Sequence, residues 1–120
     1  MKLIIAGSRN LRPSRFFIED AMMMFNIPDP TEIVSGGAAG VDTEGERWAE
    51  HRGVLVKRFP AQWDEFGKAA GPIRNAAMAT YADALLLIHG NSPGSLNMRE
   101  QMRELNKPIY EVLLSASRTL

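Results

Sequence analysis

The sequence predicts an α/β fold: a doubly wound parallel sheet of about five strands with helices on both faces. Three observations carry this. Apolar runs of strand length alternate with amphipathic stretches of helical spacing along the whole chain. The runs are continuous rather than alternating, as in strands covered on both sides. Small-residue turns follow several of them, where strands give way to helices.

The elements follow in order. Lys2 to Ala6 reads as the first strand, ended by Gly7. Pro13 suits the first turn of a helix, on which Phe17, Ala21 and Met24 recur until Ile27-Pro28-Asp29-Pro30 breaks it. "EIVS", residues 32–35, is the second strand, and a helix over 41–51 stops at Gly53. "VLVKRF", 54–59, is the third strand. "PAQWDEFGKAAG", 60–71, reads as a long loop, after which Pro72 opens a helix to about Tyr81. "ADALLLIH", 82–89, is the fourth strand, a helix spans 96–105, and "KPIYEVLL", 107–114, is the fifth strand. The last residues are expected to fray. Trp48 and Met24 are core candidates.

Residues 1–120 are expected to form one domain, since the chain has no room for a second independent core. Lys plus Arg and Asp plus Glu both number 14, so no net charge favours a polyanion or a membrane surface. Nucleic acid is therefore an unfavoured partner. With no cysteine there is neither a disulfide nor a thiolate metal site. His51 and His89 lack metal-ligand spacing and read as structural, so no metal and no cofactor is expected. The apolar runs are too short for a signal-peptide core or a membrane span, which predicts a cytoplasmic protein.

In a sheet of order 3-2-1-4-5, ligands sit beyond the carboxyl ends of the strands, at the crossover. Three turns fall there: Gly7-Ser8-Arg9, Ser35 to Gly40, and Gly90 to Ser95. A helix N-terminus offers unpaired N–H groups and partial positive charge, and glycine lets an anion approach them. The turn Ser35-Gly36-Gly37-Ala38-Ala39-Gly40 has almost no side chain, fitting either a tight connection or close approach of a phosphate. It matches neither familiar nucleotide-binding glycine motif. Ser95 and Asn97 fit helix capping as well as ligand binding. Arg9, Lys68 and Arg74 lie on the same side, where a guanidinium can grip phosphate. Asp42 fits a helix N-terminus, or a role on a ribose hydroxyl or water, whereas Glu44 and Glu46 fit the helix dipole alone. Trp63 fits stacking on a base or covering the sheet's end. No Ser-His-Asp order or paired-His motif is present, so the residues point to a phosphate-bearing molecule more clearly than to a reaction.

Taken together, "IAGSR", "SGGAAGVDTEGERWA", "FPAQWDEFGKAAGPIRNAAM" and "GNSPGSLNM" resemble the YspA-like branch of the SLOG superfamily over about residues 2–113. These are Rossmann-like domains related to the LOG-type phosphoribohydrolases and to DprA, with relatives in bacterial and phage conflict systems. The resemblance implies a nucleotide or nucleotide-derived ligand, such as an ADP-ribose-like molecule. It implies ligand-binding roles for Gly7, Ser8, Arg9, Ser35, Gly36, Gly37, Gly40, Asn75, Gly94, Ser95 and Asn97, with Arg74 at the place of a catalytic Arg. Met98 stands where the LOG catalytic Glu is counted, so cleavage by the usual residues is not expected. Asp42 or Glu100 would have to substitute. Related domains form dimers or rings, and the Met22-Met23-Met24-Phe25 run cannot all face one core, which makes a homo-oligomer a further expectation.

Overall fold

Alternate residues of each central strand feed opposite faces of one parallel sheet, and each face has its own core. In the computed structural model, which describes residues 1–114, β1 (Lys2–Gly7), β2 (Glu32–Ser35), β3 (Leu55–Arg58), β4 (Ala84–His89) and β5 (Ile109–Leu113) pair in the order β3-β2-β1-β4-β5. Every pairing is parallel. Leu3 and Ile5 of β1 join Ile33, Leu86 and Ile88 on one face. There they pack against Ile18, Ala21 and Met22 of α1 (Arg15–Met24) and Trp48 and Ala49 of α2 (Val41–Arg52). Ile4 and Ala6 join Val34, Leu85 and Leu87 on the other. Their partners are Met78 and Ala79 of α4 (Ala70–Tyr81) and Met98 and Met102 of α5 (Pro93–Glu104). This two-sided burial is why β1 and β4 are continuous apolar runs. Truncating any of the Leu, Ile or Met side chains among these to alanine would cost about 2–5 kcal/mol.

Helix boundaries differ from the expected ones for local reasons. Pro13 lies outside α1, because Ser14 is the N-cap and its hydroxyl accepts the Phe17 N–H at 3.1 Å. Met24 is not core. It is 69% exposed, since the inward stripe of α1 is Ile18, Ala21 and Met22, and Met24 lies two residues past it. Residues 60–71 are not one loop: they hold the short helix α3 (Trp63–Phe66), a 3-10 turn (Gly67–Ala69) and the start of α4. Pro72 sits inside the first turn of α4, where its missing N–H goes unneeded. Helix α5 begins at Pro93, with proline at its first position, three residues ahead of the expected start. Gly53 ends α2 in the left-handed conformation as expected. The fraying expected of the last residues lies outside the described ones.

The crossover between β1 and β4 places the turns after both strands side by side. Ser8 N–H donates to Ile88 O at 3.2 Å, and Gly90 N–H donates to Ser8 Oγ at 3.1 Å. No helix among the described residues is long and apolar enough to cross a membrane.

Candidate functional site

A cleft of about 540 Å³ opens at this crossover, beyond the carboxyl ends of the strands. Of the residues nominated from sequence, Gly7, Arg9, Asp42, Lys68, Arg74, Asn75, Gly94, Ser95 and Asn97 line it. Ser8, Ser35, Gly36, Gly37 and Gly40 stand outside its lining. Asn10, Met78 and Ser92 line it without having been singled out. Their signals were available: Ser92 precedes a helix-opening proline, and Met78 stands four residues beyond Arg74 on the same helix face.

The bare backbone of the second turn serves the protein itself. A Cβ on Gly36 would lie 2.5 Å from Arg74 Nη1 and 2.9 Å from Asp42 Oδ2, so the missing side chain makes room for a guanidinium and a carboxyl group. A Cβ on Gly40 would lie 2.4 Å from the carbonyl oxygens of Ser8 and Arg9, where the first turn presses against the second. Three amides in and just after this turn are also taken. Gly37 N–H donates to Ser35 Oγ at 3.0 Å, Ala38 N–H to Asp42 Oδ2 at 3.2 Å, and Val41 N–H to Ser8 O at 3.3 Å. The Ser35 hydroxyl donates to Glu46 Oε2 at 2.6 Å, and Glu46 holds Arg58 at 2.6 and 2.9 Å. Part of the expected phosphate cradle on this turn is thus spent on the chain's own acceptors. Glu46 is an ion-pair partner rather than a residue tuned to the helix dipole alone.

At the start of helix α5 the amides are not spent in this way. Its N-cap, Ser92, makes no side-chain bond to the helix backbone, and Pro93 has no N–H. Among the described residues the Gly94 and Ser95 amides have no backbone partner. Nothing lies within 4 Å of where a Gly94 Cβ would be. Two N–H groups at the positive end of a twelve-residue helix therefore face the cleft unblocked. The hydroxyls of Ser8, Ser92 and Ser95 form a row with spacings of 3.5 and 2.8 Å. Ser8 donates to Ser92 and Ser92 to Ser95, which leaves the Ser95 proton without an acceptor in the row, and Ser95 lies on the cleft.

Arg74 is held in place and only partly spent. Its Nη1 donates to Gly36 O at 2.7 Å and its Nε to Asn75 Oδ1 at 3.0 Å. Among the described residues Nη2 has no protein partner. Burial lowers the pKa of this guanidinium, Asp42 opposes that shift, and the positive charge of Arg9 adds to it. Arg9 and Arg74 both line the cleft. Asn75 fastens Arg74 to α5: its Nδ2 donates to Asn97 Oδ1 at 3.0 Å and to Gly94 O at 3.4 Å.

Asp42 is 5% exposed and is the acidic residue among those described lining the cleft. Burial pushes its pKa up to about 6; the Ala38 amide, Arg74 and the Gly7 amide pull it down, and Glu46 pushes it up further. A carboxyl titrating there carries a proton through part of the near-neutral range. Glu100 is no substitute, since it is exposed and bonds Arg103 at 3.1 Å on the outer face of α5. Met98 is 2% exposed, in the core with Met78 and Met102, and brings no carboxylate to the cleft.

His51 bonds Arg15 between α2 and α1 at 3.1 Å. His89 is fully buried, accepting the Asn91 N–H at Nδ1 and facing Glu111 through Nε2 at 2.5 Å. Both are structural links. Among the described residues no three His, Asp or Glu converge on a metal geometry.

Parallel order, two covered faces and a crossover cleft define a Rossmann-like α/β domain. Within that class, residues 1–66 match the YspA, cpYpsA-related SLOG family, and the chain belongs to it. The match runs from β1 to α3, so α4, β4 and α5 lie beyond it. The chain is also similar to the Gene 61 protein of Mycobacterium phage D29: 34% identical over 115 residues, covering 88% of this chain and 89% of the phage protein. No solved structure matches it.

Proposed function

We propose that the protein binds a nucleotide or nucleotide-derived small molecule, a nucleoside phosphate or an ADP-ribose-like compound, as its sensor, sequesterer or processor. The observation that carries this reading is the pair of unpartnered amides, Gly94 and Ser95, opening on a cleft that Arg9 and Arg74 also line. A phosphate seated there receives two backbone N–H groups, the helix dipole and the free face of a guanidinium. The cleft volume is within the range of small-molecule sites. Family membership supports a nucleotide-type ligand, and such a ligand is met in the cytoplasm. Calorimetry against AMP, ADP-ribose and cyclic nucleotides tests the reading. Binding of one of them at micromolar to millimolar concentration is expected, and silence across the panel at millimolar concentration would overturn it.

One observation favours a second reading, hydrolysis of an N-glycosidic or phosphoribosyl bond. Asp42 is a buried carboxyl in the cleft with its pKa near 6, suited to hand a proton to a leaving group. Release of free base from AMP, followed by chromatography, would support it if Asp42→Asn abolished the release; turnover unchanged in that variant would remove Asp42 from the chemistry. Equal numbers of basic and acidic residues argue against a nucleic-acid module. For self-association the support is Phe16, Met23 and Met24, exposed together on α1. A monomer mass by light scattering would withdraw it.

A further inference from the structure

We propose that Trp63 is the platform for the ligand's base, so that the cleft selects nucleoside phosphates over sugar phosphates and inorganic phosphate. This rests on the functional reading above and adds the ligand's orientation and the residue that sets its specificity.

The two tryptophans of this chain are used in opposite ways. Trp48 is 2% exposed in the core, and its indole N–H donates to Glu19 at 3.0 Å. Trp63 is 49% exposed and lines the cleft from the first position of α3. An indole is costly to leave half in water, and a four-residue helix gives no structural reason to do so. Gly71 explains how the ring is held. A Cβ there would lie 3.4 Å from Trp63 Cη2, so glycine lets the edge of the indole lie against the first turn of α4. Pro72 continues that wall into the cleft.

Helix α4 then acts as a ruler. Gly71 marks the indole, and Asn75, four residues on, is the side chain that holds Gly94 and Asn97 at the anion seat. Four residues span roughly 6 Å of helix axis. The contacts to the indole and to the anion seat are therefore offset by about one helical turn along α4, comparable to the separation a ribose imposes between a base and its 5′-phosphate. Between them the wall carries Arg74, and the floor is Met78 and Met98. An apolar floor suits a sugar ring and gives no second seat for a bare anion.

The stacking contribution of one base is expected to strengthen binding roughly 5- to 160-fold. The test is calorimetry of AMP, ribose 5-phosphate and inorganic phosphate on the wild-type chain and on Trp63→Ala and Trp63→Phe, with a thermal melt of each variant. Trp63→Ala should weaken AMP by that factor and leave ribose 5-phosphate unchanged. Trp63→Phe should recover most of the loss. AMP should quench tryptophan fluorescence in the wild type but not in Trp63→Phe, where only the buried Trp48 remains. If AMP binds and Trp63→Ala, melting like the wild type, binds it equally well, the platform is refuted while the anion seat stands. Should the wild type bind none of AMP, ADP-ribose and cyclic nucleotides, the functional reading fails and takes this inference with it; binding of ribose 5-phosphate as tightly as AMP would refute the platform alone.

Discussion

Replacing Asp42 with asparagine removes one titrating group from the cleft while preserving an acceptor for the Ala38 N–H. In the folded chain this carboxyl titrates near 6 against an ordinary value of 3.8. Folding therefore favours the protonated form. The stabilisation is complete below 3.8 and is lost as pH rises through about 6. At 1.36 kcal/mol per unit the full span is worth roughly 3 kcal/mol. Over the range convenient for unfolding, the same linkage gives on the order of 1 kcal/mol at pH 5 and nearly nothing at pH 8. The wild type should therefore lose on the order of 1 kcal/mol relative to Asp42→Asn between those two pH values. With a urea slope of ~2 kcal/mol/M, the difference in midpoints should change by ~0.5 M. Glu46 and Glu111, whose pKa values are lowered, oppose this trend only at more acidic pH, and they cancel in the comparison. Urea unfolding of both chains at pH 5 and pH 8 reads the difference. Parallel profiles would show that Asp42 is not buried in the way described.

Three further outcomes follow from packing. Gly37 and Gly40 both have positive φ, but only Gly40 has carbonyl oxygens against it, so Gly37→Ala should cost about 1–2 kcal/mol and Gly40→Ala at least twice as much. Equal falls in Tm would contradict the close approach of the first turn. Met98→Glu buries an unpaired carboxylate between Met78 and Met102 and should cost several kcal/mol, whereas Met98→Leu should cost less than about 1.5. A Met98→Glu chain as stable in urea as the wild type would refute that placement. Asn75→Ala releases the Arg74 Nε–H and unties α4 from α5, and AMP affinity by calorimetry should fall about tenfold. Unchanged affinity would mean that α5 needs no such anchor.

The architecture was legible because β1 and β4 are apolar on both faces and because proline and glycine punctuate the helices. The strand order and the side of the sheet carrying the cleft followed from that alternation. Which glycine turn remains free was not legible, since it depends on acceptors brought in from elsewhere. The group occupying the space at Gly36 belongs to Arg74, 38 residues away. Ser8 O reaches Val41 N–H only because the sheet sets the first turn beside the second. At α5 the opposite holds: no acceptor among the described residues arrives, and a short, inconspicuous turn keeps its amides. Helix α3 was missed because four residues are too few to show a period, although Trp63 itself stood out.

The most direct measurement is a titration of the ¹⁵N-labelled chain with AMP, followed through its amide resonances. The account predicts that the largest downfield amide proton shifts fall on Gly94 and Ser95, with the Arg74 side-chain Nε–H moving as well. Shifts centred on Gly36 to Gly40, or spectra unmoved at millimolar AMP, would contradict it.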